Sequence, residues 1–78
     1  MRLKRIIGPN KEVVGIKVLH AGPVQRFSPR LIQKGQAEKW LSLSGDKLTI
    51  HAVDAPVVYR VTQYPGNYYE CVKEIPNG

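Results

Sequence analysis

With 78 residues and a hydrophobic fraction of 42%, the chain has room for one domain and enough apolar content to exclude wholesale disorder. Its single cysteine, Cys71, excludes an internal disulfide, and no apolar run approaches the ~18 residues of a membrane span, so an intracellular, cytoplasmic setting away from membranes is expected. The net charge of +6 is unevenly spread: residues 1–34 carry eight basic side chains against Glu12 alone, whereas residues 35–78 carry four basic and five acidic ones. Such asymmetry favours an acidic partner, of which nucleic acid is the commonest.

Residues 1–11 read as a basic N-terminal arm that ends at the turn signal Gly8-Pro9-Asn10, and residues 12–78 read as a single β-rich domain. "EVVGIKVLH" alternates, with Val14, Ile16 and Val18 on one side, and is expected to be a strand. "AGPVQRFSPR" reads as loop. Ser28 is placed to cap a helix with Pro29 at its first position. "RLIQK" supplies one or two turns, and Gly35 is the expected left-handed stop.

From Ala37 onward the pattern is a meander of four strands. Gly45-Asp46 suits a type II′ hairpin turn, which pairs Ser44 with Lys47, Leu43 with Leu48 and Leu41 with Ile50, and brings Trp40 opposite His51 on the other face. A four-residue "VDAP" loop then sets Ala52 against Val57, Ile50 against Tyr59 and Leu48 against Val61. With Pro65-Gly66 at the tip of the last hairpin, Thr62 pairs with Tyr69, Val61 with Glu70, Arg60 with Cys71 and Tyr59 with Val72. Glu70 then falls on the apolar face, which marks the place where a bulge would move the register by one residue. The fold class is α+β and β-rich: a small five-stranded, mostly antiparallel sheet or partly open barrel, ordered strand, short helix, four-strand meander. The expected core is Val14, Ile16, Val18, Leu31, Ile32, Leu41, Leu43, Leu48, Ile50, Tyr59, Val61, Tyr68 and Val72.

This register leaves Trp40, His51, Val58, Arg60, Tyr64, Tyr69 and Lys73 on the outer face, with Ser42, Thr49 and Thr62 among them. Rings interleaved with cations are what a single nucleic-acid strand needs, since rings stack bases and cations track phosphates. Aromatic and β-branched residues also line strands simply because they fit there. Arg2, Lys4 and Arg5 of the arm, and Arg26, Arg30 and Lys34 around the short helix, are the further candidates for phosphate contact. The candidate site is therefore Arg2, Lys4, Arg5, Arg26, Arg30, Lys34, Trp40, Arg60, Tyr64, Tyr69 and Lys73.

His20, His51 and Cys71 do not occur at metal-ligand spacing, and no paired carboxylates, phosphate loop or nucleophile elbow is present. No cofactor, metal or enzymatic activity is expected. The stretch "LIQKGQAE" ahead of a strand resembles segments of small phage-encoded proteins; the resemblance carries no functional residue and implies only that a viral role belongs among the readings. The leading expectation is a non-enzymatic nucleic-acid-binding module. The alternative is a protein-interaction or assembly protein that uses the same face as a subunit or host-protein interface.

Overall fold

The computed structural model describes residues 1–74. Seven strands and one helix follow in the order β1 (Arg2–Ile7), β2 (Val13–His20), β3 (Val24–Phe27), α1 (Pro29–Ala37), β4 (Leu41–Ser44), β5 (Lys47–Ile50), β6 (Val57–Gln63) and β7 (Tyr69–Lys73). Strands β1 and β2 form an antiparallel hairpin of their own, and the other five form an antiparallel sheet in the order β3-β7-β6-β5-β4. The expected β-rich α+β fold with a five-stranded sheet is therefore present, with the four-strand meander β4 to β7 as its body.

The fifth strand is β3 rather than the strand read around Ile16. The segment expected as loop, "VQRF", pairs along β7 and puts Phe27 opposite Tyr69 and Gln25 opposite Cys71. The strand around Ile16 instead takes the N-terminal segment as its partner, pairing Leu3 with Val18 and Arg5 with Ile16. What reads as a loose basic arm is thus held along its length as β1. Its turn supplies the reason: Lys11 N–H donates to the Gly8 carbonyl at 3.0 Å, Gly8 N–H donates to the Glu12 carbonyl at 2.8 Å, and Lys11 takes a left-handed φ of 64°. That is a type I turn followed by a left-handed residue, a preferred three-residue hairpin connection.

Helix α1 begins as expected, with Ser28 Oγ accepting from Leu31 N–H at 3.1 Å and Pro29 in the first turn. It does not stop at Gly35. It runs on to Ala37, and the left-handed residue is Lys39 at φ 65°. Trp40 N–H donates to the Gly35 carbonyl at 3.0 Å and Lys39 N–H to the Gln36 carbonyl at 3.1 Å. These are the two bonds of a Schellman stop with Glu38 as the C-cap. Gly35 is needed for packing: a Cβ there would lie 2.7 Å from Leu41 Cβ.

The β4–β5 pairing matches expectation at all four positions from Leu41↔Ile50 to Ser44↔Lys47, with Gly45 at φ 59° and His51 N–H donating to the Trp40 carbonyl at 2.8 Å. The β5–β6 pairing is two residues away from expectation, with Ile50 opposite Val57 and Leu48 opposite Tyr59. A two-residue slip preserves which face each side chain occupies. Its cause lies outside the sheet: the chain leaves β5 at His51 so that Val53 N–H can reach the Ile16 carbonyl at 2.9 Å, and the connection lengthens accordingly.

The β6–β7 pairing is one residue away from expectation, and here the faces change. Val61 pairs with Cys71 and Tyr59 with Lys73, while a bulge at Thr62 lets Gln63 pair with Glu70. Thr62 Oγ1 donates to the Glu70 carbonyl at 3.1 Å and steadies the bulge. Cys71 thereby turns into the core, whereas Val72 and Tyr68, both expected inside, do not join it.

The core consists of Ile16, Phe27, Ile32, Trp40, Leu41, Leu48, Ile50, Tyr59 and Cys71. Val14, expected among them, is 57% exposed because a bulge between Ile6 and Ile7 displaces it from the β2 alternation. Phe27 packs edge-on to Tyr59 with ring centroids 5.4 Å apart, and Tyr59 Oη donates to the buried Gly22 carbonyl at 2.9 Å. Ile16 of the hairpin and Ile32 of the helix cover one face of the five-stranded sheet. The result is two layers, in keeping with the thin 20 Å axis of a 38 × 34 × 20 Å molecule. Among the described residues no helix is long and apolar enough to cross a membrane.

Candidate functional site

The two layers divide the charge unequally. The hairpin and helix layer, residues 1–20 and 28–40, carries eight basic side chains against Glu12 and Glu38. The sheet layer, residues 24–27 and 41–74, carries Arg26, Lys47, Arg60 and Lys73 against Asp46, Asp54, Glu70 and Glu74. Counted along the chain, the net charge of +6 therefore falls on the hairpin and helix layer, with Asp54 of the loop that Val53 bonds to Ile16 as the nearest acid from the other segment.

Within that layer the register sorts the cations by face. Leu3, Ile16 and Val18 face the core. Lys4 and Lys17 stand directly opposite each other on the outer face, with Arg2 two residues along β1 on the same side and paired with His20. Arg5 falls on the inner face, where its Nε lies 3.2 Å from Glu38 Oε1. The same oxygen accepts from Trp40 Nε1–H at 2.8 Å. Those interactions, the Trp40 hydrogen bond foremost, hold the Glu38 carboxyl below its ordinary pKa although burial opposes them. Arg30 and Lys34, four residues apart on α1, are exposed on one side of the helix. Between β1 and α1 lies a cleft of about 250 Å³, lined by Met1, Leu3, Arg5, Ile16, Leu31 and Trp40.

The aromatic half of the expected site is arranged differently. Trp40, expected on the outer sheet face, is only 3% exposed. The left-handed turn at Lys39 swings it under the helix, against Gly35. Tyr69, expected outside, pairs with Phe27 and packs against the core. Tyr64 lies flat on Tyr69, with centroids 4.2 Å apart and the rings within 13° of parallel. Burial foremost, and then Tyr64, raises the Tyr69 hydroxyl above its ordinary pKa. Tyr68, expected inside, carries the Arg26 guanidinium 4.9 Å from its ring centre. The tyrosine changes follow from the one-residue bulge at Thr62 and from the β3 pairing, and the Trp40 change from the turn at Lys39, none of which hydrophobic alternation reveals.

The outer sheet face therefore holds Arg60, as expected, and also Arg26, which was expected beside the helix and comes to the sheet on β3, together with Lys47, which lies directly opposite Arg60. Glu70 shares this face opposite Arg26, so its charge is mixed. Lys73 is opposite the buried Tyr59 and turns toward the inner side. The candidate cations do not converge on one surface: Arg2 and Lys4 form a group on the hairpin, Arg30 and Lys34 a group on the helix, and Arg26 and Arg60 a group on the far side of the sheet. Lys17 and Lys47 complete two of these groups. The turn alone does not reveal Lys17: closure at Gly8 and Glu12 sets Lys4 opposite Ile16, and the register shift at Val14 is what brings it opposite Lys17.

His51 Nε2 lies 2.9 Å from Ser42 Oγ on the outer sheet face, while Cys71 is buried on the inner side, so the two are not partners. Burial foremost pushes the Cys71 thiol up to about 11. Among the described residues no group of three or more His, Cys, Asp or Glu side chains is placed to hold a metal ion.

The chain matches no known protein family, no curated protein and no solved structure.

Proposed function

We propose that this protein is a small non-enzymatic binding module for nucleic acid, and that the hairpin and helix layer is its binding surface. The observation that carries the reading is the charge division: eight basic side chains against two acidic ones on one layer, with the other layer neutral. One of the two acids, Glu38, is already committed to Arg5 and Trp40. A surface so polarised attracts a polyanion and gains from the release of its counterions. The expected stacking of bases on the sheet face has less support, since Trp40 is enclosed and Tyr64 and Tyr69 are stacked on one another.

Anisotropy of labelled oligonucleotides, titrated with the protein at low salt and at ~0.15 M salt, tests the reading. Affinity falling linearly on a log–log salt plot is the expected result, with little change in Trp40 emission because that ring is enclosed. Absence of binding at low salt overturns it.

A second reading, a protein-interaction or assembly protein, is favoured by one observation. Ile7, Val14, Leu19 and Val53 are each more than half exposed on the hairpin and on the loop bonded to it. Association through such a surface holds or tightens as salt rises, so sedimentation at two salt concentrations separates the two readings.

A further inference from the structure

We infer that the β1–β2 hairpin is a ribbon that enters the major groove of duplex DNA, in preference to single strands and to duplex RNA. The inference rests on the nucleic-acid reading above and specifies its ligand.

The cations and the rings lie in different places. Residues 1–20, which form the ribbon and its turn, contain no Phe, Trp or Tyr. The four tyrosines all belong to the sheet layer, and the single tryptophan is buried. A surface that binds single strands needs exposed rings beside its cations. Here the strongest concentration of cations has none within reach, so its ligand is one bound through phosphates while its bases stay paired.

The ribbon has the matching form. Arg2, Lys4 and Lys17 lie on its outer face, with His20 opposite Arg2 and Lys11 at the turn. Lys4 and Lys17 form a directly opposed like-charge pair, which works against folding and is relieved by an anion between or beside the two ammonium groups. The only acid of the ribbon, Glu12, sits in the turn, with its carbonyl tied to Gly8. Two antiparallel strands with their side chains match the ~12 Å width of the B-form major groove. The major groove of A-form RNA is too narrow to admit them. Arg30 and Lys34 on the neighbouring helix would then face the flanking phosphate backbone.

The test compares a duplex DNA, a duplex RNA and a single strand of the same sequence, each by anisotropy across a salt series. The proteins are the full chain, K4Q/K17Q and R30Q/K34Q, each first checked by circular dichroism for an unchanged fold. The expected result is tightest binding to duplex DNA, with K4Q/K17Q lowering the log–log salt slope by about two. Binding that favours the single strand or duplex RNA overturns the ribbon and leaves the nucleic-acid reading standing. So does a salt slope that K4Q/K17Q leaves unchanged. No binding to any of the three at low salt overturns both.

Discussion

Gly35 presents its bare Cα to Leu41, and a methyl group added there would come within 2.7 Å of Leu41 Cβ and 3.1 Å of Trp40 Cη2. Two effects of Gly35→Ala oppose each other. Ala is a better helix former by about 1 kcal/mol. The clash is with a Cβ, which moves only with its backbone, and overpacking of this kind costs about 1–3 kcal/mol. The clash should win, and Gly35→Ala should lower stability in a denaturant titration. Lys39→Gly is the complementary change: it removes the left-handed strain at φ 65° and should leave stability equal or raised by up to about 1 kcal/mol.

The tyrosines should rank by their contacts rather than by their order in the turn. Tyr69→Ala removes a ring packed on Phe27 and the core and should cost about 2–3 kcal/mol, toward the low end for aromatic truncation because the ring is only half buried. Tyr68→Ala loses the contact with Arg26 and should cost about 1 kcal/mol or less. Thermal melts that rank Tyr68→Ala as the more damaging would restore the unbulged hairpin and contradict the Thr62 bulge.

Alkaline pH should destabilise the fold, and the Cys71 thiol sets the window. Its pKa is raised from an ordinary 9.0 to about 11 by burial. A raised folded-state pKa favours the protonated form in the native state. Its contribution is therefore complete below about 9 and lost progressively as pH rises from there to about 11. Tyr59, raised chiefly by burial, pushes the same way at higher pH. Cys71→Ala should flatten the fall in melting temperature across that window. Alkylation of Cys71 should be slow in native protein at pH 8 and rapid in denaturant.

Stability and binding should separate at Lys17. Lys17→Glu replaces a like-charge pair with Lys4 by an opposite-charge one and should raise stability by about 0.2–1 kcal/mol. The same change places an acid in the middle of the cationic face and should weaken nucleic-acid binding at low salt. A variant that melts higher and binds less would show that the pair is retained for a ligand. A melting temperature that falls would show that the two ammonium groups do not oppose each other as the register implies.

Residue types and local spacing were enough, by themselves, to determine the β-rich class, the Ser28 cap, and the Gly45-Asp46 hairpin with every pair of its register. They also determined the concentration of charge in the first 34 residues. These are short-range features, settled by turn geometry, capping and composition. Tertiary structure alone decided the rest. Val53 reaching the Ile16 carbonyl lengthened one loop, and the Thr62 bulge exchanged the faces of Tyr68 and Tyr69. The helix passed through Gly35 because Leu41 needs the space a side chain would fill. Each of these trades a local preference for a contact with a distant segment, which alternation and propensity cannot register. The candidate site followed the same division: its cations were legible as a run of basic residues, but only the pairing of β1 with β2 set Lys4 against Lys17, and only packing enclosed Trp40.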